Sequence, residues 1–351
     1  LTAIFLVRRG IYYKEEIPMA KKFRGFDVMV EKLKAEPKTI VFTEGTDARI
    51  LEATDRLLKD GFLKPILVGN VEAVKAAAEK FGFCIEGADI VDPETYEKMD
   101  EMVATLCELR KSKGMTPEQA LKTLKKGNFF GTMLVKVGVA DALLGGATYS
   151  TADTVRPALQ LVKTKPGNSI VSSVFIMVRT NEDPEKDDDV LVMGDCAINI
   201  KPTAPQLAEI AVEGAACAKI FDVDPKIAFL SYSTLGSGSG EDVDKVREAV
   251  AIAKERAPEL AIEGEIQFDA AVSPVVAKTK CPNSPVAGQA NMFVFPDINA
   301  GNIGYKIAQR LGGFQAYGPI MLGLNAPIND LSRGCDAEEV YAMAIITAAL
   351  A

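Results

Sequence analysis

Ser332 and Arg333 are adjacent in the segment PINDLSRGCDAEEV, directly ahead of an apolar stretch, residues 340–350, that predicts a buried helix. A hydroxyl beside a guanidinium group is a combination typical of a site that holds an anion. Because a buried helix is fixed by core packing, the polar residues in front of it are held in place as well. The pair therefore predicts an anion-binding site at this point of the chain.

Asp336 and Glu339 follow the pair with the spacing of a capping box, in which an acid at the N-cap and a Glu three residues later satisfy free N–H groups. Glu339 has a second interpretation as a general base. The positive end of the helix and Arg333 would then both favour its ionised form. The sequence leaves both interpretations open.

The chain contains no histidine, which restricts the chemistry it can perform. A Ser-His-Asp triad, a Cys-His pair and a His-ligated metal centre are all excluded, and we expect no metal site. Any general base must be a carboxylate, lysine, tyrosine or thiol. A substrate thiol, with a free pKa of about 8.5, is a group that such a base can deprotonate.

Two arginines and one glycine-rich loop are weaker candidates for anion binding. Arg156 is predicted in the first turn of a helix, where the helix dipole disfavours a cation unless an anion joins it, although Asp153 is an alternative partner. Arg110 is predicted at a helix C-terminus, where a cation is ordinary. The loop YSTLGSGSG follows a predicted strand and could cradle a phosphate or be a simple connector. Cys335 is interpreted as a packing residue.

Composition defines the class of protein. The chain has 351 residues, of which 48% are apolar and 25% are charged, with a formal net charge of −8. These values are typical of a globular protein of two domains, and the acidic balance argues against nucleic-acid and membrane-surface partners. The six cysteines form no CxxC pair, which predicts reduced thiols in the cytoplasm. Residues 1–18 are interpreted as an upstream or vector-derived extension, since Met19 opens a more typical beginning.

From residue 38 onwards, short β-rich apolar runs alternate with amphipathic helical stretches. This rhythm predicts an α/β fold with open, mostly parallel sheets and helices on both faces. Residues 170–179 and 190–194 instead predict a hairpin. We expect a first domain from residues 19–166 plus 327–351, a second from residues 167–326, and a site in the cleft between them.

Several long segments resemble the phosphate acetyltransferase family, in order along the chain: FTEGTDARILEA, ELRKSKGMTPEQA, GVADALLGGATYSTADTVRPALQ, LSYSTLGSGSG, GQANMFVFPDINAGNIGYKIAQR and PINDLSRGC. The resemblance implies a two-domain fold similar to isocitrate and isopropylmalate dehydrogenases, usually as a homodimer. It also implies reversible acetyl transfer between acetyl phosphate and coenzyme A (CoA), with no metal and no cofactor, since CoA is a substrate.

The resemblance also assigns roles to particular residues. Ser332 and Arg333 match the pair that stabilises the transition state, and Glu339 occupies the position of the family base, which is usually Asp. The arginines that match substrate-binding positions are Arg110, Arg156 and Arg310.

The sequence leaves three alternative functions open. A phosphate butyryltransferase would share the chemistry but have a larger acyl pocket. An NAD-dependent hydroxyacid dehydrogenase of the same fold would need metal-binding aspartates, and the SRGC segment has no function in its reaction. The third alternative is a CoA-binding or regulatory module without activity, which the departure at Glu339 makes conceivable.

Overall fold

The computed structural model describes residues 24–181 and 188–351. The extension predicted at residues 1–18 lies outside the described residues. The strands, in chain order, are β1 Lys38–Phe42, β2 Leu63–Val68, β3 Asp89–Val91, β4 Ala142–Gly145, β5 Ser172–Arg179, β6 Asp189–Gly194, β7 Lys226–Leu230, β8 Ala261–Ile266, β9 Met292–Val294, β10 Gln315–Leu322 and β11 Ile328–Asp330.

The α-helices, numbered in the same way, are α1 Arg24–Ala35, α2 Ala48–Asp60, α3 Val71–Phe81, α4 Met99–Leu109, α5 Pro117–Leu124, α6 Gly127–Lys136, α7 Thr151–Pro157, α8 Ala204–Ile220, α9 Glu241–Arg256, α10 Phe268–Val272, α11 Pro274–Lys280, α12 Ile298–Leu311 and α13 Ala337–Ala349. A short 3₁₀ helix, Lys111–Lys113, follows α4, and a π-helical turn, Ala158–Val162, continues α7.

The strands form two sheets. The first is entirely parallel, with the order β11-β4-β1-β2-β3. The second has the order β10-β5-β6-β9-β7-β8, in which β6, β9, β7 and β8 are parallel to their neighbours in that run. β5 pairs antiparallel with both β6 and β10, so the predicted hairpin is confirmed. The predicted α/β class with mostly parallel sheets is therefore also confirmed.

Local signals account for many of the helix ends. Asp47 caps α2 by accepting the N–H of Arg49, and Gly61 ends the helix with φ of 74°. Thr116 and Gln119 form a complete capping box at the start of α5. These contacts satisfy N–H groups that a helix leaves free in its first turn.

One predicted helix is shorter than expected. The sequence indicates helix over residues 94–113, whereas α4 begins only at Met99. The carboxylate of Asp92 accepts the N–H of Glu94 at 2.9 Å, and this local turn competes with helical hydrogen bonding.

The chain passes between the sheets twice, and the two crossing segments lie side by side. Thr164 forms an isolated antiparallel bridge with Leu324. The side-chain amide of Asn325 donates to the carbonyls of Val162 at 3.2 Å and Thr164 at 2.9 Å. The first sheet thus takes its strands from residues 38–145 and 328–330, and the second from residues 172–322. The exact domain boundaries stay a prediction.

Candidate active site

A small recess lies where β10 of the second sheet faces the segment between β11 and α13. Its lining residues come from both sheets and are Ala316, Tyr317, Gly318, Asp330, Leu331, Ser332, Cys335, Glu339 and Met343. Two of the predicted site residues, Ser332 and Glu339, therefore lie at the same recess.

Ser332 and Arg333 are both exposed, directly after β11. The Ser332 hydroxyl accepts a hydrogen bond from the N–H of Gly334 at 3.2 Å, which leaves its proton available to a ligand. The Arg333 guanidinium makes no hydrogen bond or ion pair with any residue of the described chain. Within these ranges only the backbone carbonyl of Arg333 has a partner. Both side chains are thus available to an anion arriving from solvent.

Arg49, which is not among the residues predicted from the sequence, holds this segment in place. Its Nη1 donates to the carbonyls of Arg333 at 3.0 Å and Cys335 at 3.1 Å. Its Nη2 donates to the carbonyl of Ala147 and to Asp47. One guanidinium group therefore connects the start of α2 to the segment that carries Ser332 and to the loop after β4. Such multiple bonds from a rigid planar group restrict the backbone geometry.

Asp330 fixes the other side of the motif. It is 2% exposed, and it accepts hydrogen bonds from the hydroxyls of Thr151 at 2.6 Å and Thr154 at 2.5 Å. Burial raises the pKa of this carboxyl, and the two hydroxyls oppose that rise. Gly146 has φ of 100°, and a Cβ there would overlap Asp330, so only glycine fits. The motif is thereby tied to α7, the helix that carries Arg156.

Glu339 completes the capping box in this structure. Its N–H donates to Asp336 at 2.8 Å, and its Oε2 accepts the N–H of Asp336 at 3.2 Å. Although the residue as a whole is exposed, it lines the recess, and partial burial of its carboxyl raises the pKa of Glu339. The charge of Asp336 raises that pKa further and Arg310 lowers it. The N–H of Asp336 at the helix start favours the ionised form, as expected, but burial outweighs it, and the arginine that acts on this pKa is Arg310 and not Arg333.

The three remaining arginines have different surroundings. Arg310 is exposed in the last turn of α12, close enough to Glu339 to act on its pKa. Arg110 follows α4, and its Nε is buried without a hydrogen-bond partner in the described part of the chain. Arg156 pairs with Asp153 at 3.4 Å, and both side chains are about half exposed.

The helical position predicted for Arg156 is wrong. It lies in the last turn of α7, not the first, because α7 has only seven residues before the π-helical turn begins. The unfavourable dipole position belongs instead to Arg49, the second residue of α2. The unfavourable interaction of Arg49 with the helix dipole is compensated by its bonds to Asp47 and to the backbone carbonyls of Arg333, Cys335 and Ala147. The same physical signal, applied to the segment TDARI, would have identified Arg49. Tyr317, which also lines the recess, is not marked by any comparable signal in the sequence.

Cys335 is a packing residue, as expected. It is 6% exposed, and burial raises the pKa of its thiol to about 11, with Arg49 opposing the rise. A thiol with such a pKa is protonated near neutral pH and is therefore a poor nucleophile.

Three N–H groups at the centre of the glycine-rich loop after β7 are bonded within the protein and are therefore not free for a phosphate. Gly236 donates to the buried carboxylate of Glu265 at 2.8 Å, Gly238 to the hydroxyl of Ser233 at 2.9 Å, and Ser237 to the carbonyl of Thr234. The connector interpretation therefore describes this loop. Burial alone would raise the pKa of Glu265, but Arg247 and the N–H of Gly236 hold it at about 2.

Metal sites and membrane-spanning helices are both absent from the described ranges. No group of three or more acidic or cysteine side chains in residues 24–181 and 188–351 is arranged to hold a metal ion. Among the helices of the same ranges, none is both long enough and apolar enough to cross a bilayer.

Comparison with known proteins gives the family. A family model described as phosphate acetyl/butaryl transferase matches residues 26–348. The chain belongs to this family. A phosphate acetyltransferase of Bacillus subtilis (strain 168) is 53% identical over 326 residues, which cover 93% of this chain and 98% of that relative.

Solved structures agree with this assignment. A phosphotransacetylase from Streptococcus pyogenes has 54% sequence identity and a TM-score of 0.89, covering 93% of this chain and 97% of that one. A putative 4-hydroxythreonine-4-phosphate dehydrogenase structure from Salmonella typhimurium is 14% identical with a TM-score of 0.50, covering 90% of this chain and 100% of that one. This second likeness concerns the fold alone, and it confirms the predicted relation to dehydrogenase folds.

Proposed function

We propose that this chain is a phosphate acetyltransferase, which transfers an acetyl group reversibly between acetyl phosphate and CoA. The observation that carries the proposal is a recess shared by Ser332 and Glu339, in a chain about half identical to named phosphate acetyltransferases. The family description also includes butyryl transfer, so family membership alone leaves the acyl length open.

In the proposed mechanism, the carboxylate of Glu339 accepts the proton of the CoA thiol. The thiolate then attacks the carbonyl carbon of acetyl phosphate, and the carbon–oxygen bond to the phosphate breaks, which releases inorganic phosphate and the thioester. The Ser332 hydroxyl and the Arg333 guanidinium stabilise the charge that develops on the oxygens. A raised pKa at Glu339 supports this role, since it makes the carboxylate a stronger base.

Arg110, Arg156 and Arg310 are proposed to bind the substrates. The exposure of Arg156 and Arg310 supports this assignment, since their donors are accessible to an anionic ligand. At Arg110 the support is a buried Nε that has no hydrogen-bond partner in the described part of the chain. CoA enters as a substrate, and the proposal includes no cofactor.

The proposal extends to the assembly and location of the protein. Two domains with the site in the cleft between them are supported by the recess, whose walls come from both sheets. A homodimer is supported by Ile303, Ile307 and Leu311, which form an exposed apolar stripe along one face of α12. A cytoplasmic location is supported by the six cysteines, all of which are free.

Thioester formation tests the proposed activity. When the purified protein is given acetyl phosphate and CoA, we expect the absorbance of the acetyl-CoA thioester to rise. Phosphate should be released in an amount equal to the thioester formed. Absence of thioester, with CoA still bound, would indicate instead a binding module without activity.

Direct transfer makes a separate prediction about the protein itself. Incubation with acetyl phosphate in the absence of CoA should leave the intact mass unchanged, because the protonated Cys335 thiol and the unactivated Ser332 hydroxyl do not form an acyl-enzyme. Intact-mass spectrometry checks this. A stoichiometric gain of one acetyl group on Ser332 or Cys335 would contradict direct transfer and leave the overall activity assignment standing.

A further inference from the structure

We propose that Tyr317, together with Met343, closes the recess behind Ser332 and limits the transferred acyl group to acetyl. The inference rests on the proposed function, because it assigns the recess to the acyl group of that reaction.

The size of the recess is the first argument. Its volume is about 20 Å³, whereas one ordered water needs about 10–15 Å³. A single methyl group is comparable in size to this space. A butyryl group carries two further methylenes, which would have to displace a wall.

The distribution of polar groups around the recess is the second argument. Asp330, Ser332 and Glu339 supply its polar side. Leu331 and Met343, each 3% exposed, supply an apolar side. An acyl phosphate therefore has one favourable orientation, with its phosphate oxygens at Ser332 and its alkyl end against the apolar wall. In this orientation, any increase in chain length is directed at that wall.

The third argument is that the Tyr317 ring is held at both ends. It packs edge-to-face on Phe26 of α1 with ring centroids 5.2 Å apart. Its hydroxyl lies 2.8 Å from Oε1 of Gln315, to which it donates. The register of β10 also shifts between Tyr317 and Ile320, and such irregularities redirect side chains near active sites. A ring fixed in this way resists displacement by a longer acyl chain.

Chain-length selectivity tests the inference. Acetyl, propionyl and butyryl phosphate would each be assayed with CoA, and kcat/KM compared. We expect the wild-type protein to lose activity steeply with each added methylene, by roughly tenfold or more. Tyr317→Ala should raise the ratio of butyryl to acetyl activity by at least roughly tenfold, because it removes the ring that blocks the longer chain.

Two controls separate the ring from other effects. Tyr317→Phe keeps the ring and loses only the bond to Gln315, so we expect the selectivity ratio of the wild type. Tyr232→Ala makes the same truncation at a tyrosine that is 63% exposed and outside the recess, and should also leave the ratio unchanged. If Tyr317→Ala does not fold, Tyr317→Leu supplies a smaller side chain that keeps apolar packing against Phe26.

Each outcome has a defined meaning. Equal use of acetyl and butyryl phosphate by the wild type would overturn the inference, as would an unchanged ratio in a folded Tyr317→Ala or Tyr317→Leu variant that still transfers acetyl. In both cases the proposed function would stand. Failure of the wild type to use any acyl phosphate would instead contradict the proposed function.

Discussion

Arg333→Ala is expected to lower kcat by roughly 10²-fold or more, with a smaller effect on KM. The guanidinium of Arg333 is exposed and makes no hydrogen bond or ion pair within the described chain that truncation would break, so the melting temperature should change little. Its donors are instead available to phosphate oxygens as charge develops on them. Steady-state kinetics with acetyl phosphate and CoA, together with a thermal melt, provide the measurement.

A matched control is available at Arg256, which is exposed in the last turn of α9 and far along the chain from the recess segment. Arg256→Ala removes the same charge, so it corrects for the change in net charge of the protein. We expect its kcat to equal that of the wild type. An unchanged kcat in Arg333→Ala, or a rise in KM alone, would mean that Arg333 has no special contact with the transition state.

Glu339→Gln should lower kcat by roughly 10²-fold or more while leaving the fold stable, and this combination separates the two interpretations of the residue. The glutamine side chain still offers an oxygen to the N–H of Asp336, so the capping box is preserved. It cannot accept the thiol proton. Normal turnover with an unchanged melting temperature would show that Glu339 is a cap and that the base lies elsewhere.

The pH profile of kcat gives a second measurement of the same role. A base must be deprotonated, so activity should be lost as the pH falls through the pKa of Glu339, which burial raises above the ordinary value of 4.5. Asp336→Asn keeps a capping oxygen and removes a charge that raises this pKa, so the loss should move to lower pH. Glu339→Asp, which restores the usual family residue, should be at least as active as the wild type.

Much of the fold could be predicted because it follows from local patterns. Alternating apolar runs and amphipathic stretches identified the parallel sheets, and two β-rich runs separated by a short polar sequence identified the antiparallel pair. Helix caps at Thr116 and Gly61 depend only on neighbouring residues. Ser332 and Glu339 were likewise located because both precede or begin a strongly apolar helix.

The rest of the site depends on contacts between distant parts of the chain. Arg49 bonds to a carbonyl 284 residues away, and Tyr317 reaches the recess only because β10 lies against the segment that follows β11. Arg156 was misplaced for a different reason. The sequence does not reveal that α7 ends at Pro157, where a π-helical turn follows, so that Arg156 lies in the last turn of a seven-residue helix.

The buried carboxylate of Glu265 has a consequence for nucleotide recognition. It occupies the position that a bound phosphate would take beneath Gly236, and Arg247 neutralises it there. A nucleotide phosphate at this turn would have to displace the Glu265 carboxylate, which is already desolvated and paired with Arg247. It would also be repelled by the negative charge of that carboxylate. The N–H of Gly236 is thus already bonded to the protein's own acid, which makes this position unsuited to the pyrophosphate of a dinucleotide such as NAD.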